Sequence, residues 1–310
     1  MTKRIALTGA TGFLGSHLIE ELLSRGYLVN ALTRKEQPAK ESVQWVHGDL
    51  ENEHALTQLI EDCDTIINVA GLIKAKKASD FMVANAHAVV KLKSIAKKAT
   101  HNPLFIQISS FAARERHLSD YAESKYQGEE MLKIGDDIRW TILRPPAVYG
   151  PGDIETLKIF KVVNSGFAFF PANKKNRVSW IHISDLCNAI ATLVETENCE
   201  KKTYEVDDGV SNGYSHEEFF KIAAQVMNKS VVSATIPKPV LKTIGSINQI
   251  LSTLMNYAPM VTSKKVNEIC HSDWVLNKNI DFKSTGWLPK IRLTDGLKET
   301  LDWYKNNEYI

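Results

Sequence analysis

The first half of this chain alternates two kinds of segment, and that alternation restricts its fold more than any other feature. Short apolar runs at 4–8, 28–32, 43–47, 65–69, 104–109 and 140–144 are separated by helical patterns at 12–25, 53–60, 80–99 and 119–133. Strands alternating with helices form βαβ units and hence a parallel sheet. Several of the strand runs are apolar almost throughout, as expected of strands covered on both faces. The predicted fold class is α/β, a doubly wound parallel sheet. After Arg144 the alternation fails at a proline- and glycine-rich break, RPPAVYGPGD. Beyond it only short strand-like pieces remain, near 178–183 and 203–206, among longer helical patterns.

The sequence TGATGFLG, residues 8–15, follows the first strand directly and opens the first helix. Gly9 permits a tight turn, Gly12 lets a backbone approach a pyrophosphate, and Gly15 lets the helix pack closely on the sheet. The free N–H groups at the helix start then face phosphate. With a strand before it and a helix after it, the motif marks a Rossmann-type dinucleotide site, assigned to Gly9, Thr11, Gly12, Phe13, Leu14 and Gly15. A carboxylate ~20 residues beyond such a motif holds the adenosine ribose of NAD. Here Thr33, Arg34 and Lys35 occupy that place and Glu36 comes late. A hydroxyl and a cation suit a 2′-phosphate, so NADP is the expected cofactor with NAD as the alternative; Arg34 and Lys35 also read as solvated loop charges. Asp49 of HGDL is a candidate acceptor for the adenine amino group, with Leu50 packing on the ring. Val69, Ala70 and Gly71 of NVAG end the fourth strand and are candidates to line the cofactor, as is Ile108 in the fifth.

A second constellation is YAESK, in which Tyr121 and Lys125 share one face of a helix. A phenol with a pKa near ~10 is a poor acid or base at neutral pH. A neighbouring ammonium stabilises the phenolate and lowers that pKa. The tyrosine can then exchange a proton with a substrate oxygen while hydride moves at the carbon. Tyr121 and Lys125 are also candidates to bind the cofactor, the lysine by holding its ribose. Ser109 and Ser110, ending the fifth strand, can supply a hydroxyl to orient that oxygen.

With these motifs in order, the chain resembles the extended short-chain dehydrogenase/reductases, the NAD(P)-dependent epimerase/dehydratase group. The resemblance runs through nearly its whole length. It implies that Ser110 is the catalytic hydroxyl, that Tyr121 and Lys125 are the catalytic pair, and that Asn85 in MVANAHAVVKL helps shape the active site. It also implies that the backbone near Pro145 and Val148 meets the nicotinamide amide. In WIHISDLCNAI, Asp185 is implied to tie the chain back onto the nucleotide domain, and GWLPKIRLTDGLKETLDWY is similar to the family's C-terminal segment. The implied organisation is a Rossmann domain of residues 1–150 plus about 178–206, and a smaller, discontinuous C-terminal substrate domain of about 151–177 plus 207–310. A homodimer through the helices at 80–99 and 119–133 is also implied. The connection from Ser110 to Tyr121 is short, which resembles an atypical branch that includes the Rossmann accessory subunit of respiratory complex I.

Other features narrow the function classes. The chain has 310 residues, 44% hydrophobic and 24% charged, with a net charge of +2. That near balance gives no sign of a general nucleic-acid or membrane-surface binder. No run reaches the ~18 apolar residues of a membrane span. The start, MTKRIALTGA, enters a strand at once without a signal-peptide core. Cys63, Cys187, Cys199 and Cys270 are scattered and read as reduced thiols, so a cytoplasmic protein is expected. The nine histidines show no metal spacing, and His182 reads as part of a structural hydrogen-bond network. The lysines of KLKSIAKKA read as a solvated face. Sugar-nucleotide members usually carry an arginine-aspartate-aromatic pattern before the late motif; in KKNRVSWIHISD, Arg177 is out of register. Phe167, Phe169 and Phe170 read as an apolar pocket lining or as ordinary packing. Residues 237–259 read as an amphipathic helix for the core or a dimer contact; in relatives resembling flavonoid or sterol reductases a helix at this place walls an apolar pocket or touches a membrane or partner.

Three functions are open. One is an NADP-linked oxidoreductase acting on a carbonyl or hydroxyl of a small organic molecule. Another is an NAD-dependent sugar-nucleotide epimerase or dehydratase. The third is a non-catalytic, dinucleotide-bound assembly or sensor module.

Overall fold

A computed structural model describes residues 3–135, 137–259, 261–277, 280 and 282–310. The first half follows the alternation: β1 (Arg4–Thr8), α1 (Phe13–Ser24), β2 (Leu28–Thr33), β3 (Val43–His47), α2 (Glu53–Ile60), β4 (Thr65–Asn68), α3 (Ala78–Met82), a π segment (Val83–His87), α4 (Ala88–Ala96), β5 (Leu104–Ile108), a 3₁₀ segment (Phe111–Leu118), α5 (Asp120–Lys133) and β6 (Arg139–Arg144). The expected helix at 80–99 is therefore three pieces. The π segment lies where Asn85 is drawn toward neighbouring elements, as described below, and π-turns often mark such sites. Next come β7 (Ala147–Tyr149), α6 (Ile154–Asn164), β8 (Phe167–Pro171), β9 (Arg177–Val178), β10 (Trp180–His182), α7 (Ile183–Glu195) and β11 (Lys202–Glu205).

The main sheet has seven strands in the order β11-β6-β5-β4-β1-β2-β3. The pairings from β3 across to β6 are parallel. The chain runs outward from β1 to β3, then returns to the other side of β1 with β4. The ends of β1 and β4 thus flank the switch point where doubly wound sheets bind ligands. Local signals place the helices: Asn52 caps α2 by accepting from Ala55 N–H, and Ser119 caps α5 by accepting from Ala122 N–H. On one face Leu56, Leu59, Val89, Leu92, Phe105 and Ile142 belong to a continuous buried cluster. Leu18, Ile19 and Leu22 of α1 are also buried.

The chain divides into two compact units. The first is Met1–Arg144, Cys187–Tyr204 and Ile280–Trp287; the second is Pro145–Leu186, Glu205–Asn279 and Leu288–Ile310. The expected division instead placed 145–150, 178–186 and 205–206 in the first unit and 280–287 in the second; β7 pairs with β10 in a small parallel sheet apart from the main one. The expected strand at 178–183 is interrupted at Ser179, whose hydroxyl donates to Asp207 (2.8 Å), and Ile183 already begins α7.

The second unit adds β12 (Tyr214–Ser215), α8 (His216–Val226), β13 (Val232–Ile236), α9 (Lys238–Met255), α10 (Ser263–Ile269), β14 (Asp273–Trp274) and α11 (Leu293–Asn306). Tyr149, Phe160, Phe219, Leu297, Leu301 and Tyr304 lie in its own buried core. Phe170 is buried, whereas Phe167 and Phe169 alternate outward and are exposed. The amphipathic segment forms α9, but its apolar side does not enter the core: Ile247, Ile250 and Leu254 are exposed.

Candidate active site

The glycine loop is built by close approaches. Gly9 has φ +70°, and a Cβ there would lie 2.7 Å from the Ala70 nitrogen and 3.1 Å from the Val69 carbonyl carbon. The turn after β1 therefore lies directly against the NVAG segment after β4. A Cβ on Gly15 would lie 2.0 Å from the Gly9 oxygen, so the first turn of α1 can approach the loop only with glycine there. Gly12 differs: its φ is −83°, and a Cβ would meet only the Gly9 oxygen, at 3.3 Å. Thr11 is exposed, and Phe13 and Leu14 are half-buried in the first turn. No side chain caps α1 and no acid stands in its first turn. The residues present thus fit a dinucleotide: an uncapped helix start, electropositive from its N–H groups, beside a backbone free of side chains.

The neighbouring strand ends are arranged differently. Thr33, at the end of β2, is buried; its hydroxyl donates to the Lys35 carbonyl (2.7 Å) and accepts from the Lys35 N–H (3.2 Å). The hydroxyl closes the turn that projects Arg34. Arg34 and Lys35 are exposed and form no ion pair among the described residues. Asp49 Oδ1 accepts from Glu51 N–H (2.9 Å) and Asn52 N–H (3.1 Å), and Leu50 packs against the sheet core.

A buried polar ladder crosses the sheet at its C-terminal edge. Thr8 Oγ1 donates to Asn68 Oδ1 (2.5 Å) and accepts from Ala70 N–H (3.2 Å). Asn68 Nδ2 donates to Gln107 Oε1 (2.8 Å), and Gln107 Nε2 donates to the Ile108 carbonyl (3.0 Å). That carbonyl also accepts from Lys125 Nζ (2.7 Å). Lys125 is 7% exposed. Burial pushes its ammonium down to about 8, against an upward pull from the Glu129 carboxylate.

Asn85 fixes the rest of the site. Its Oδ1 accepts from Leu72 N–H (2.8 Å), and its Nδ2 donates to the Leu72 carbonyl (3.0 Å) and to Ser124 Oγ (2.9 Å). A Cβ on Gly71 would lie 2.7 Å from Asn85 Oδ1 and 3.8 Å from Lys125 Nζ. Gly71, Asn85 and Lys125 are therefore brought together. Tyr121, in the first turn of α5, is half-buried, with its ring 6.2 Å from Phe81. Ser110 is half-buried and caps the 3₁₀ segment by accepting from Ala112 N–H (3.2 Å). The two strand-end serines thus separate: Ser109 is buried and donates to Glu129 Oε1 (2.5 Å), while Ser110 lies on the more open side.

Glu129 was not visible as part of this site in the sequence. It is fully buried and receives a two-pronged contact from Arg144 (2.8 and 2.6 Å). Its available signal was position, four residues beyond Lys125 on the same face. Lys93 was misplaced by its neighbours: its ammonium donates to the Leu132 carbonyl (3.0 Å) and the Ile134 carbonyl, closing the C-terminus of α5 rather than facing solvent.

The remaining expected residues lie in the second unit. Pro145 is buried and Val148 is half-buried in β7. Asp185 accepts from Lys290 N–H (3.0 Å) and Ile291 N–H (2.8 Å), all three within the second unit. Burial raises its carboxyl, while those two hydrogen bonds oppose the shift. Arg177 donates to the Asn212 and Gly213 carbonyls (2.6 and 2.8 Å) and meets Glu218. His182 is fully buried beside the Tyr149 ring (5.2 Å). Among the described residues no group of three or more His, Cys, Asp or Glu could hold a metal.

Comparison with known proteins places the sequence in a family. The sequence model of the NAD dependent epimerase/dehydratase family matches residues 5–206. Among curated proteins, the chain is 34% identical over 306 residues to a ceramide reductase from Caulobacter vibrioides, covering 97% of this chain and 94% of that protein. It is 24% identical to the mitochondrial NADH dehydrogenase (ubiquinone) 1 alpha subcomplex subunit 9 of Dictyostelium discoideum, over 64% of this chain and 57% of that one. The fold is that of UDP-glucuronic acid 4-epimerase from Bacillus cereus, solved with NAD, at TM-score 0.76 and 18% identity, covering 98% and 99% of the two chains. With its model matched across residues 5–206 and a 34% identical relative spanning almost the whole chain, the chain belongs to the NAD-dependent epimerase/dehydratase family.

Proposed function

We propose that this protein is an NADP-linked reductase that converts a ketone on a long-chain, ceramide-type lipid to the secondary alcohol. The observation that carries the chemistry is Lys125, an ammonium held in a buried position on the same helix face as Tyr121 and anchored on the Ile108 carbonyl. When bound, the nicotinamide supplies the hydride that reaches the carbonyl carbon. Tyr121 delivers the proton to the carbonyl oxygen, and the Lys125 charge stabilises the tyrosinate left behind until solvent reprotonates it. Ser110 orients the same oxygen by donating its hydroxyl proton. Asn85 is a positioning residue, holding the Gly71–Leu72 backbone against α5.

The substrate class rests on the 34% identity with the ceramide reductase across almost the whole chain. A sugar-nucleotide reading is less well supported, because Arg177 is engaged by two backbone carbonyls and Glu218 rather than presented to a diphosphate. The preference for NADP rests on Arg34 and Lys35 beyond β2, with no acid between Thr33 and Lys35. All four cysteines are free thiols, which supports work in the reducing cytoplasm.

The test is net oxidation of NADPH with oxo-ceramide and, separately, with UDP-sugars. Net oxidation with the lipid ketone alone is expected. Sugar epimerisation with tightly retained NAD and no net redox turnover would contradict the reading. Arg34→Ala is expected to weaken NADPH binding about tenfold and leave NADH nearly unchanged; equal losses would remove the argument for NADP.

A further inference from the structure

Helix α9 is mounted with its polar side toward the protein. Along it, Leu241, Gly245, Asn248 and Ser252 face inward, at helical spacing. A Cβ on Gly245 would lie 2.8 Å from the carbonyl carbon of Thr262, so the helix rests directly on backbone at the start of α10. Asn248 Nδ2 donates to the Val261 carbonyl (2.8 Å), and Asn248 Oδ1 accepts from the Tyr257 hydroxyl (2.5 Å). Contacts made by small and polar groups hold the helix in this orientation. The consequence is on the other side: Ile244, Ile247, Ile250, Leu251, Leu254 and Met255 form one stripe and are 44% to 77% exposed. Isolated exposed apolar residues are ordinary, but a continuous stripe of this size marks a contact surface. The strand leading into α9 adds to it in kind. In the β8–β13 pair Val232 stands opposite Phe167, and all of Val232, Phe167 and Phe169 are at least 60% exposed.

Charge identifies what the stripe meets. Between Phe219 and Asn267 there are six lysines and no aspartate or glutamate. Lys238 and Lys242, both exposed, lie on α9 beside the apolar stripe, and both act electrostatically on Cys270 at the end of α10. The nearest acid in the hairpin, Glu268, is paired with Lys265. An apolar helix face bordered by lysines and free of acids complements an anionic lipid surface, into which such a face sinks while the lysines meet the headgroups. No helix among the described residues is long and apolar enough to cross a membrane. We propose that α9 is an interfacial helix that docks this protein on the surface of an anionic lipid bilayer. The proposal stands on the surface of the second unit alone and goes beyond the reductase reading, so the two can fail separately.

The experiment is co-sedimentation of the full chain with vesicles of phosphatidylcholine alone or mixed with phosphatidylglycerol, without substrate or dinucleotide. Binding to the mixed vesicles is expected, weaker by about tenfold on neutral vesicles and in high salt. Ile250→Glu with Leu254→Glu should lower binding to mixed vesicles by about tenfold or more. Lys238→Glu with Lys242→Glu should remove the preference for anionic lipid. Both pairs should keep wild-type dinucleotide affinity, which reports an intact fold. Failure to bind mixed vesicles, or wild-type binding by the Ile250/Leu254 pair, would overturn the proposal. A concentration-dependent dimer that the same pair dissolves would assign the face to a second copy of the chain and also overturn it.

Discussion

Gly12 and Gly15 stand in the same glycine motif, yet the packing of α1 on the loop needs only one of them. A Cβ on Gly15 would fall 2.0 Å from the Gly9 oxygen, a clash with backbone that must move β1 or α1. Gly15→Ala is therefore expected to destabilise the nucleotide unit by about 3 kcal/mol or more. Gly12→Ala meets one atom at 3.3 Å with φ −83°, so its melting temperature should stay near wild type while dinucleotide affinity falls about tenfold. Paired thermal melts and dinucleotide titrations check both, and equal melting losses would contradict the division of roles. Lys125 has a second, pH-dependent signature. Its folded pKa of about 8 lies below the ordinary lysine value near ~10.4. Across that window the unfolded chain holds the proton and the folded chain has released it, so stability rises with pH; below about 8 the full burial penalty is present. Measured against Lys125→Met, the wild type should gain stability from pH ~8 to ~10.4. A constant difference between the two would contradict the buried ammonium.

At the level of elements, α5 is the part that must be held still, because it carries Tyr121 and Lys125. Its middle is bound to the ends of β5 and β6 through Glu129, which joins Ser109 and Arg144. Glu129→Leu leaves the Arg144 guanidinium without its buried partner and is expected to cost about 3–5 kcal/mol, read by chemical denaturation. A loss below about 1 kcal/mol would mean that Arg144 reaches water easily. The strands and α5 itself were legible because their signals are local: apolar runs for the sheet and a helical pattern over 119–133 for the helix. The motif residues were legible for the same reason, since glycines and the Tyr/Lys spacing are local. The Thr8–Asn68–Gln107 ladder was not. Its members are 60 and 39 residues apart and meet only through strand register. The π segment at Asn85 was equally hidden, since Asn85 meets Leu72 and Ser124 from other parts of the chain.

Across the whole molecule, the two halves of the chain differed in how readily they could be read. The second unit contains small sheets of two or three short strands, too brief for periodicity to declare. Its boundary falls at Arg144 rather than at residue 150, and β7 and β10 stand in a two-stranded sheet separate from the main one, a placement made by tertiary contacts. The net charge of +2 also concealed a local asymmetry, the acid-free stretch that contains α9. Binding motifs, sheet order and family membership agree on a dinucleotide enzyme, and the reductase chemistry assigned to Tyr121 is the claim on which the functional account depends. Its most direct test is the transfer of deuterium from C4-labelled NADPH to the carbonyl carbon of oxo-ceramide, by wild type and by Tyr121→Phe. The account predicts label in the wild-type alcohol, and a loss of at least about 100-fold in the variant at unchanged dinucleotide affinity. Undiminished label transfer by Tyr121→Phe would contradict it.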